Sequence, residues 1–236
     1  MPRHFFVTGT DTEVGKTLVA GALILKLREL NLKANGFKPV AAGTYRNESG
    51  ITCNEDIETL RLASHFEHDV ALLCPYVFDQ AIAPHVAAAI QGKPLDKALI
   101  MKAFQTLNTQ SEAVVVEGAG GFLVPINEQE DLGHIAQMMQ LPVILVVGMR
   151  LGCINHALLT YEAIRARNLP IAGWVANTLS DEMPYLQESL KTIKNRISSP
   201  FLGLIPPLPA HFRKLPNTPY SLKALQFAAQ HMRLPE

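Results

Sequence analysis

Short, mostly apolar runs alternate along this chain with longer stretches in which apolar residues recur every three or four positions. Residues 5–8, 34–40, 113–116, 143–147, 171–176 and 201–205 are runs of the first kind and read as strands. Residues 16–30 carry Leu18, Val19, Leu23, Leu27 and Leu30 at helical spacing. Segments 55–63, 84–90, 96–107, 131–139, 154–167, 184–197 and 221–231 also read as helices, with Asp96 placed to cap the third of these. The run Val143-Ile144-Leu145-Val146-Val147 has no polar face, which is expected of a strand covered on both sides.

Strands that alternate with helices predict an α/β fold. Its mostly parallel sheet should carry helices on both faces. No linker, internal repeat or low-complexity tract interrupts the pattern, so one domain over 1–236 is expected. The stretch Ile205-Pro206-Pro207-Leu208-Pro209 follows a strand and reads as a rigid loop. In such folds ligands bind at the carboxyl ends of strands. The chemically informative residues fall there: the loop after Thr8, Lys38, Glu117, the loop after Val147, and Asn177.

The first of these loops is Thr8-Gly9-Thr10-Asp11-Thr12-Glu13-Val14-Gly15-Lys16-Thr17. A strand that enters a loop ending in Gly-Lys-Thr, with a helix behind it, is the layout of a phosphate-binding P-loop. Backbone N–H groups cradle the phosphates, the Lys reaches the outer ones and the Thr hydroxyl serves Mg²⁺. Five residues separate Gly9 from Gly15, where the common form has four, and Thr10 holds the position usually taken by Gly. The spacing predicts a P-loop NTPase-like fold that binds a nucleoside triphosphate.

Other strand ends supply partners for such a ligand. Glu117 closes the run Val114-Val115-Val116 ahead of Gly118-Ala119-Gly120-Gly121, where a carboxylate can ligate Mg²⁺ and glycines let the backbone approach a phosphate. Lys38 stands before Pro39, which holds it extended, and can stabilise a phosphoryl group in transfer; a surface Lys is the competing reading. Asp56 begins a helical pattern and reads first as a cap, second as another Mg²⁺ carboxylate. His85, His134 and His156 are scattered and receive no role. Cys153 reads as a small buried residue, although the helix N-terminus around it can hold a carboxylate through free N–H groups.

Composition narrows the class. Lys+Arg and Asp+Glu are both 21 among 236 residues, so the net charge of zero offers no argument for nucleic acid or an anionic membrane. No apolar run reaches the ~18 residues of a membrane span. The P-loop comes too soon for a signal peptide. Three cysteines, far apart, form no disulfide framework, so a cytoplasmic protein with reduced thiols is expected.

Five blocks together resemble the dethiobiotin synthetase family. They are the P-loop, Lys38-Pro39-Val40-Ala41, Val116-Glu117-Gly118-Ala119-Gly120-Gly121, Leu151-Gly152-Cys153-Ile154-Asn155-His156 and Gly173-Trp174-Val175-Ala176-Asn177. They occur in the family's order over the first three quarters of the chain. The resemblance implies a carbon–nitrogen ligase of biotin synthesis acting on 7,8-diaminopelargonate, CO₂ and MgATP. It implies that Thr12, Lys16 and Lys38 act on the reacting groups, and that Thr17, Asp56 and Glu117 hold Mg²⁺. ATP would meet Glu13, Val14, Gly15, Lys16, Thr17 and Leu18, then Glu117, Gly118, Ala119 and Gly120. Its adenine would lie by Asn177, Thr178, Ile205, Pro206 and Pro207. The substrate would touch Ala42, Gly152, Cys153, Asn155 and Tyr185, its carboxylate being received across a homodimer interface. One position departs from the family: Ala42 stands where Ser is usual, at a cost of about 1 kcal/mol in a lost hydrogen bond, and nearby Thr44 is a candidate to compensate. Switch ATPases of the partitioning and division-site type share the fold but carry an extra Lys where this chain has Asp11. Amidoligases of cobalamin synthesis need a glutaminase domain for which 236 residues leave no room.

Overall fold

The computed structural model describes residues 3–65 and 69–236. In chain order the elements are β1 (Phe5–Gly9), α1 (Lys16–Glu29), β2 (Ala34–Phe37), β3 (Ala41–Ala42), β4 (Tyr45–Arg46), β5 (Thr52–Cys53), α2 (Glu55–Ala63), α3 (Val70–Leu73), β6 (Val77–Phe78), α4 (Pro84–Ile90), α5 (Lys97–Thr109), β7 (Ala113–Gly121), α6 (Leu132–Met139), β8 (Val143–Met149), α7 (Cys153–Ala166), β9 (Ile171–Thr178), α8 (Leu186–Arg196), β10 (Phe201–Ile205) and α9 (Leu222–Gln230). Six strands form one sheet in the order β10-β9-β8-β1-β7-β2, and every neighbouring pair is parallel.

The wholly apolar strands are explained by cores on both faces. Phe5, Val7, Ala113, Val115, Ile144 and Val146 join one core with α1 and α9. Their alternates Phe6, Val114, Val116, Val143, Leu145 and Val147 join the other with α5, α6, α7 and α8. Successive strand residues point to opposite faces, so a strand with an apolar layer on each side can spare no polar position.

Several boundaries differ from the sequence reading, each for a local reason. The strand expected over 34–40 ends at Phe37, because the Lys38 N–H leaves the sheet to donate to Leu73 O at 2.8 Å. The strand expected over 113–116 runs on to Gly121, pairing Glu117 with Val7 and Gly121 with Gly9, so the glycines expected in a turn extend the sheet to the P-loop. The helix expected from 184 starts at Leu186, since Tyr185 takes a left-handed φ of 56°. The helix expected over 154–167 spans Cys153–Ala166. The ladders β3–β6 and β4–β5 and the single turn α3 are too short to show a period and were not read from the sequence. Asp96 caps α5 as expected, its side chain accepting the Ala98 N–H.

One edge of the sheet carries a titratable support. His4 Nδ1 accepts the Val114 N–H at 3.2 Å, which only an unprotonated nitrogen can do. Burial, then the neighbouring Arg3 charge, lowers its pKa from 6.5. The unfolded chain therefore takes up this proton first as pH falls, so the stabilisation is complete above 6.5 and is lost below it. The urea midpoint should fall from pH 7.5 to 5.5 more steeply in the wild type than in His4→Gln; parallel curves would remove His4 from this role.

Candidate active site

β1 delivers the P-loop to the carboxyl edge of the sheet, between β7 and β8. Thr10 N–H donates to Val146 O at 3.0 Å, which ties the loop to β8. The Asp11 carboxylate accepts the Thr12 N–H at 2.7 Å and pairs with the Arg150 guanidinium. Lys16 Nζ donates to Asp11 O at 2.9 Å, so the P-loop ammonium lies folded back under its own loop. Gly15 has φ 88°, and a Cβ built there would sit 2.2 Å from Asn177 Nδ2. That amide donates to Val14 O at 2.9 Å. Only glycine satisfies both the left-handed turn and the approach of β9.

Behind the loop four charged groups and a hydroxyl meet. Lys38 Nζ is 2.9 Å from both Asp56 Oδ2 and Glu117 Oε1, and donates to Gly118 O at 3.3 Å. Thr17 Oγ1 is 2.7 Å from Asp56 Oδ1 and 2.7 Å from Glu117 Oε1. Lys38 and Glu117 are buried. Burial opposes the Lys38 charge, yet Asp56 and Glu117 outweigh it and move its pKa upward. Burial also works against the Asp56 carboxylate, but Lys38 and the Thr17 hydroxyl hold it down to about 2. Burial raises Glu117, and the Asp56 charge adds to that against the pull of Lys38. Lys16, desolvated and facing Lys38, drops to about 8.

The Thr17 hydroxyl has one hydrogen and two carboxylate neighbours. Glu117 Oε2 is buried with no hydrogen-bond partner. Both facts describe a pocket of oxygen acceptors short of positive charge. A hydroxyl and two carboxylates, one of them with an orphan oxygen, are the donor chemistry of a hard divalent cation, and they fit Mg²⁺. Among the described residues no group of three or more His, Cys, Asp or Glu could hold a metal. Mg²⁺ does not need one, because it is commonly held by one or two carboxylates together with phosphates and water.

Lys16, Thr17, Lys38, Asp56 and Glu117 are thus brought together as the sequence suggested. The reading of Asp56 as a cap is corrected: Asn54 caps α2, accepting the Asp56 and Ile57 N–H groups, and this leaves the Asp56 carboxylate for Lys38 and Thr17. Thr12 lies against the glycine loop, its Oγ1 3.5 Å from where a Gly120 Cβ would be. Leu18 and Val14 point into the core, so only their main chain faces the loop. Thr178 Oγ1, at the end of β9 beside Asn177, is buried without a partner, and Ile205 is in register with Asn177. Thr44 donates to Asp79 Oδ1 at 3.1 Å, so its hydroxyl hydrogen is already engaged near Ala42.

Gly152, Cys153, Asn155 and Tyr185 stand apart from this cluster. Cys153 is buried, as read. Leu151, just ahead of α7, and Asn155 and Leu159 on that helix are exposed, as is Tyr185 at the N-cap of α8. Space around Gly152 is open. The pairing of Arg150 with Asp11 was not foreseen; the residues are 139 positions apart, and no local pattern links them.

Comparison with known proteins agrees with this layout. A family model described as an AAA domain matches residues 3–213. ATP-dependent dethiobiotin synthetase BioD of Aromatoleum aromaticum is 49% identical over 205 residues, covering 87% of this chain and 91% of that protein. Its namesake in Ralstonia nicotianae is 47% identical over 211 residues, covering 89% and 92%. Among solved structures, the septum site-determining protein MinD complexed with Mg-ADP from Pyrococcus horikoshii aligns with a TM-score of 0.53 at 14% identity, over 87% of this chain and 82% of that one. That likeness is one of fold.

Gly15→Ala tests the loop geometry. The added methyl group meets Asn177 in a backbone conformation that alanine resists, so ATP affinity should fall at least about tenfold, ~1.4 kcal/mol. Equilibrium titration with a fluorescent ATP analogue measures it, and unchanged affinity would show that the Gly15–Asn177 approach is dispensable.

Proposed function

The chain belongs to the ATP-dependent dethiobiotin synthetase family, and from that premise we propose that it closes the cyclic urea of dethiobiotin from 7,8-diaminopelargonate, CO₂ and ATP, releasing ADP and phosphate. The observation that carries the reading is Lys16 and Lys38 converging with Thr17, Asp56 and Glu117 at the carboxyl edge of a parallel sheet. The enzyme is a carbon–nitrogen ligase of biotin synthesis. Residues 1–236 act as one unit.

In this reading one amine takes up CO₂ as a carbamate, ATP phosphorylates the carbamate, and the second amine attacks the mixed anhydride and expels phosphate. The phosphoryl group in transfer and the carbamate are both anionic, and Lys16 and Lys38 are the cations placed to offset them. Thr12 lines the approach. Lys16, which donates to Asp11 O, must give up that bond to reach a phosphate. Thr17, Asp56 and Glu117 would hold Mg²⁺, which would supply positive charge against the phosphates. Adenine lies by Asn177 and Thr178, where the Asn177 Oδ1 can accept from an amino group while Nδ2 stays on Val14. Ile205, Pro206 and Pro207 border the base.

We further propose a homodimer in which the start of α7 and Tyr185 serve the partner's site. Their support is the exposed row of Leu151, Asn155 and Leu159, together with the anion-binding character of a helix N-terminus. A cytoplasmic setting accords with three free cysteines, and no described helix is long and apolar enough to cross a membrane.

Phosphate release by the purified protein should require the diamine, bicarbonate, Mg²⁺ and ATP together; release that ignores the diamine would end this reading. Lys38→Ala should lower kcat by about a hundredfold with ATP still bound. It should also lower Tm, because two carboxylates lose their counter-ion, and Mg²⁺ should restore part of that loss. Near-normal turnover in Lys38→Ala would remove Lys38 from the chemistry.

A further inference from the structure

Residues 38–44 carry the chain from Lys38 to Ala42 and on to the Gly43 turn. Their N–H groups are bonded along 73–79. Lys38 N–H donates to Leu73 O and Ala41 N–H to Tyr76 O, both at 2.8 Å. Gly43 N–H donates to Phe78 O at 2.9 Å and Thr44 N–H to Asp79 O at 3.0 Å. The start of α2 holds the same run at two further points. One is the ion pair of Lys38 with Asp56. The other is a bond from Asn54 Nδ2 to Gly43 O at 2.6 Å.

Asn54 is buried, and the other end of its amide is committed as well. Its Oδ1 accepts the Asp56 and Ile57 N–H groups, both at 3.1 Å, and so caps α2. One planar group therefore fixes the main chain that presents Asp56 and the turn that follows Ala42. It also closes the neck of the β4–β5 hairpin, whose ladder pairs Tyr45 with Cys53 and Arg46 with Thr52. The turn itself is confined. Gly43 has φ 88°, and a Cβ there would meet the Ala81 Cβ at 3.0 Å.

The two attachments to α2 differ in kind. In the function proposed above, Asp56 serves Mg²⁺ and Lys38 a phosphoryl group, so the ion pair between them is shared with ligands. The Asn54 amide and the Gly43 carbonyl are neutral, and their bond does not depend on the charge state of the site.

We propose that Asn54 is a positioning residue for the ligase reaction: it keeps the turn beside Ala42 in register with Asp56 while Asp56 and Lys38 engage their ligands. What such a bond supplies is alignment of the diamine with the phosphoryl chemistry, not charge. The inference rests on the proposed function, in which Ala42 faces the diamine.

Asn54→Ser separates the two bonds of the amide. The hydroxyl still caps α2, and the shorter side chain stops short of Gly43 O. Asn54→Ala loses both. In Asn54→Ser, amide hydrogen exchange at Gly43 and Thr44 should quicken and kcat/KM for the diamine should fall about fivefold. Its Tm and its affinity for a fluorescent ATP analogue should stay close to wild type. In Asn54→Ala, the Mg²⁺ concentration that gives half of the ADP-dependent gain in Tm should rise as well, because Asp56 loses its support. Wild-type exchange at Gly43 and Thr44, or wild-type kcat/KM for the diamine, in Asn54→Ser would overturn the proposal. So would an equal loss of ATP affinity, which marks a general loosening of the site, or an unchanged Mg²⁺ requirement in Asn54→Ala. Absence of diamine-dependent phosphate release in the wild type would instead strike the proposed function, and hydrogen exchange and the Mg²⁺ titration would still read the two bonds of Asn54.

Discussion

One buried ammonium organises this molecule's active edge. Lys38 sits 2.9 Å from carboxylates on two different elements, Asp56 on α2 and Glu117 on β7. Its charge offsets the repulsion between two carboxylates held this close together. The Lys38 side chain is reached by ending β2 early and turning its main chain toward Leu73. Pro39, which cannot donate to a ladder, suits that exit. The same ammonium also sits near Lys16 and helps depress the pKa of that second cation to about 8. After burial, the Lys38 charge is therefore the next influence on Lys16, Asp56 and Glu117 alike.

The parallel sheet converts this local cluster into a site. Because every neighbouring pair runs the same way, β1, β2, β7, β8 and β9 all end at one edge, and residues up to 163 positions apart meet there. Asn177 reaches under the P-loop to Val14, and Thr178 presents a buried, unpartnered hydroxyl next to it. Both lie at the end of a strand that is otherwise core. The apolar layers on each face fix the strands rigidly, and the strand ends inherit that rigidity.

The sheet and its main helices were legible because long periodic segments carry their own signal: residues 143–147 could be little else than a buried strand, which the structure extends to Met149, and Lys16 at the start of a helix after a glycine loop announces phosphate. What was not legible is non-local. Whether Asp56 or Asn54 capped α2 was decided by which side chain could turn back to the helix start, and Asn54 does so while Lys38 and Thr17 hold Asp56. The two-residue strands Ala41–Ala42 and Val77–Phe78 exist only because each has the other to pair with. The pairing of Lys214 with Glu55 and the bond from the Tyr220 N–H to Thr59 Oγ1 join positions more than 150 residues apart, which no local pattern announces.

Clusters of this kind are poor sources of stability. Desolvating an ammonium and two carboxylates costs about as much as their attraction returns, and apolar residues of similar volume would often do better. A chain selected for stability alone would fill the floor below Thr17 with leucine and valine, as it fills the rest of both cores. This one keeps an orphan carboxylate oxygen and a hydroxyl with two claimants for a single hydrogen. Such local conflict persists where a ligand resolves it. The conflict lies directly behind the P-loop, so the arriving group must bring positive charge to the carboxylates and negative charge to the lysines. A metal–phosphate pair meets both needs at once, whereas neither a bare anion nor a bare cation does.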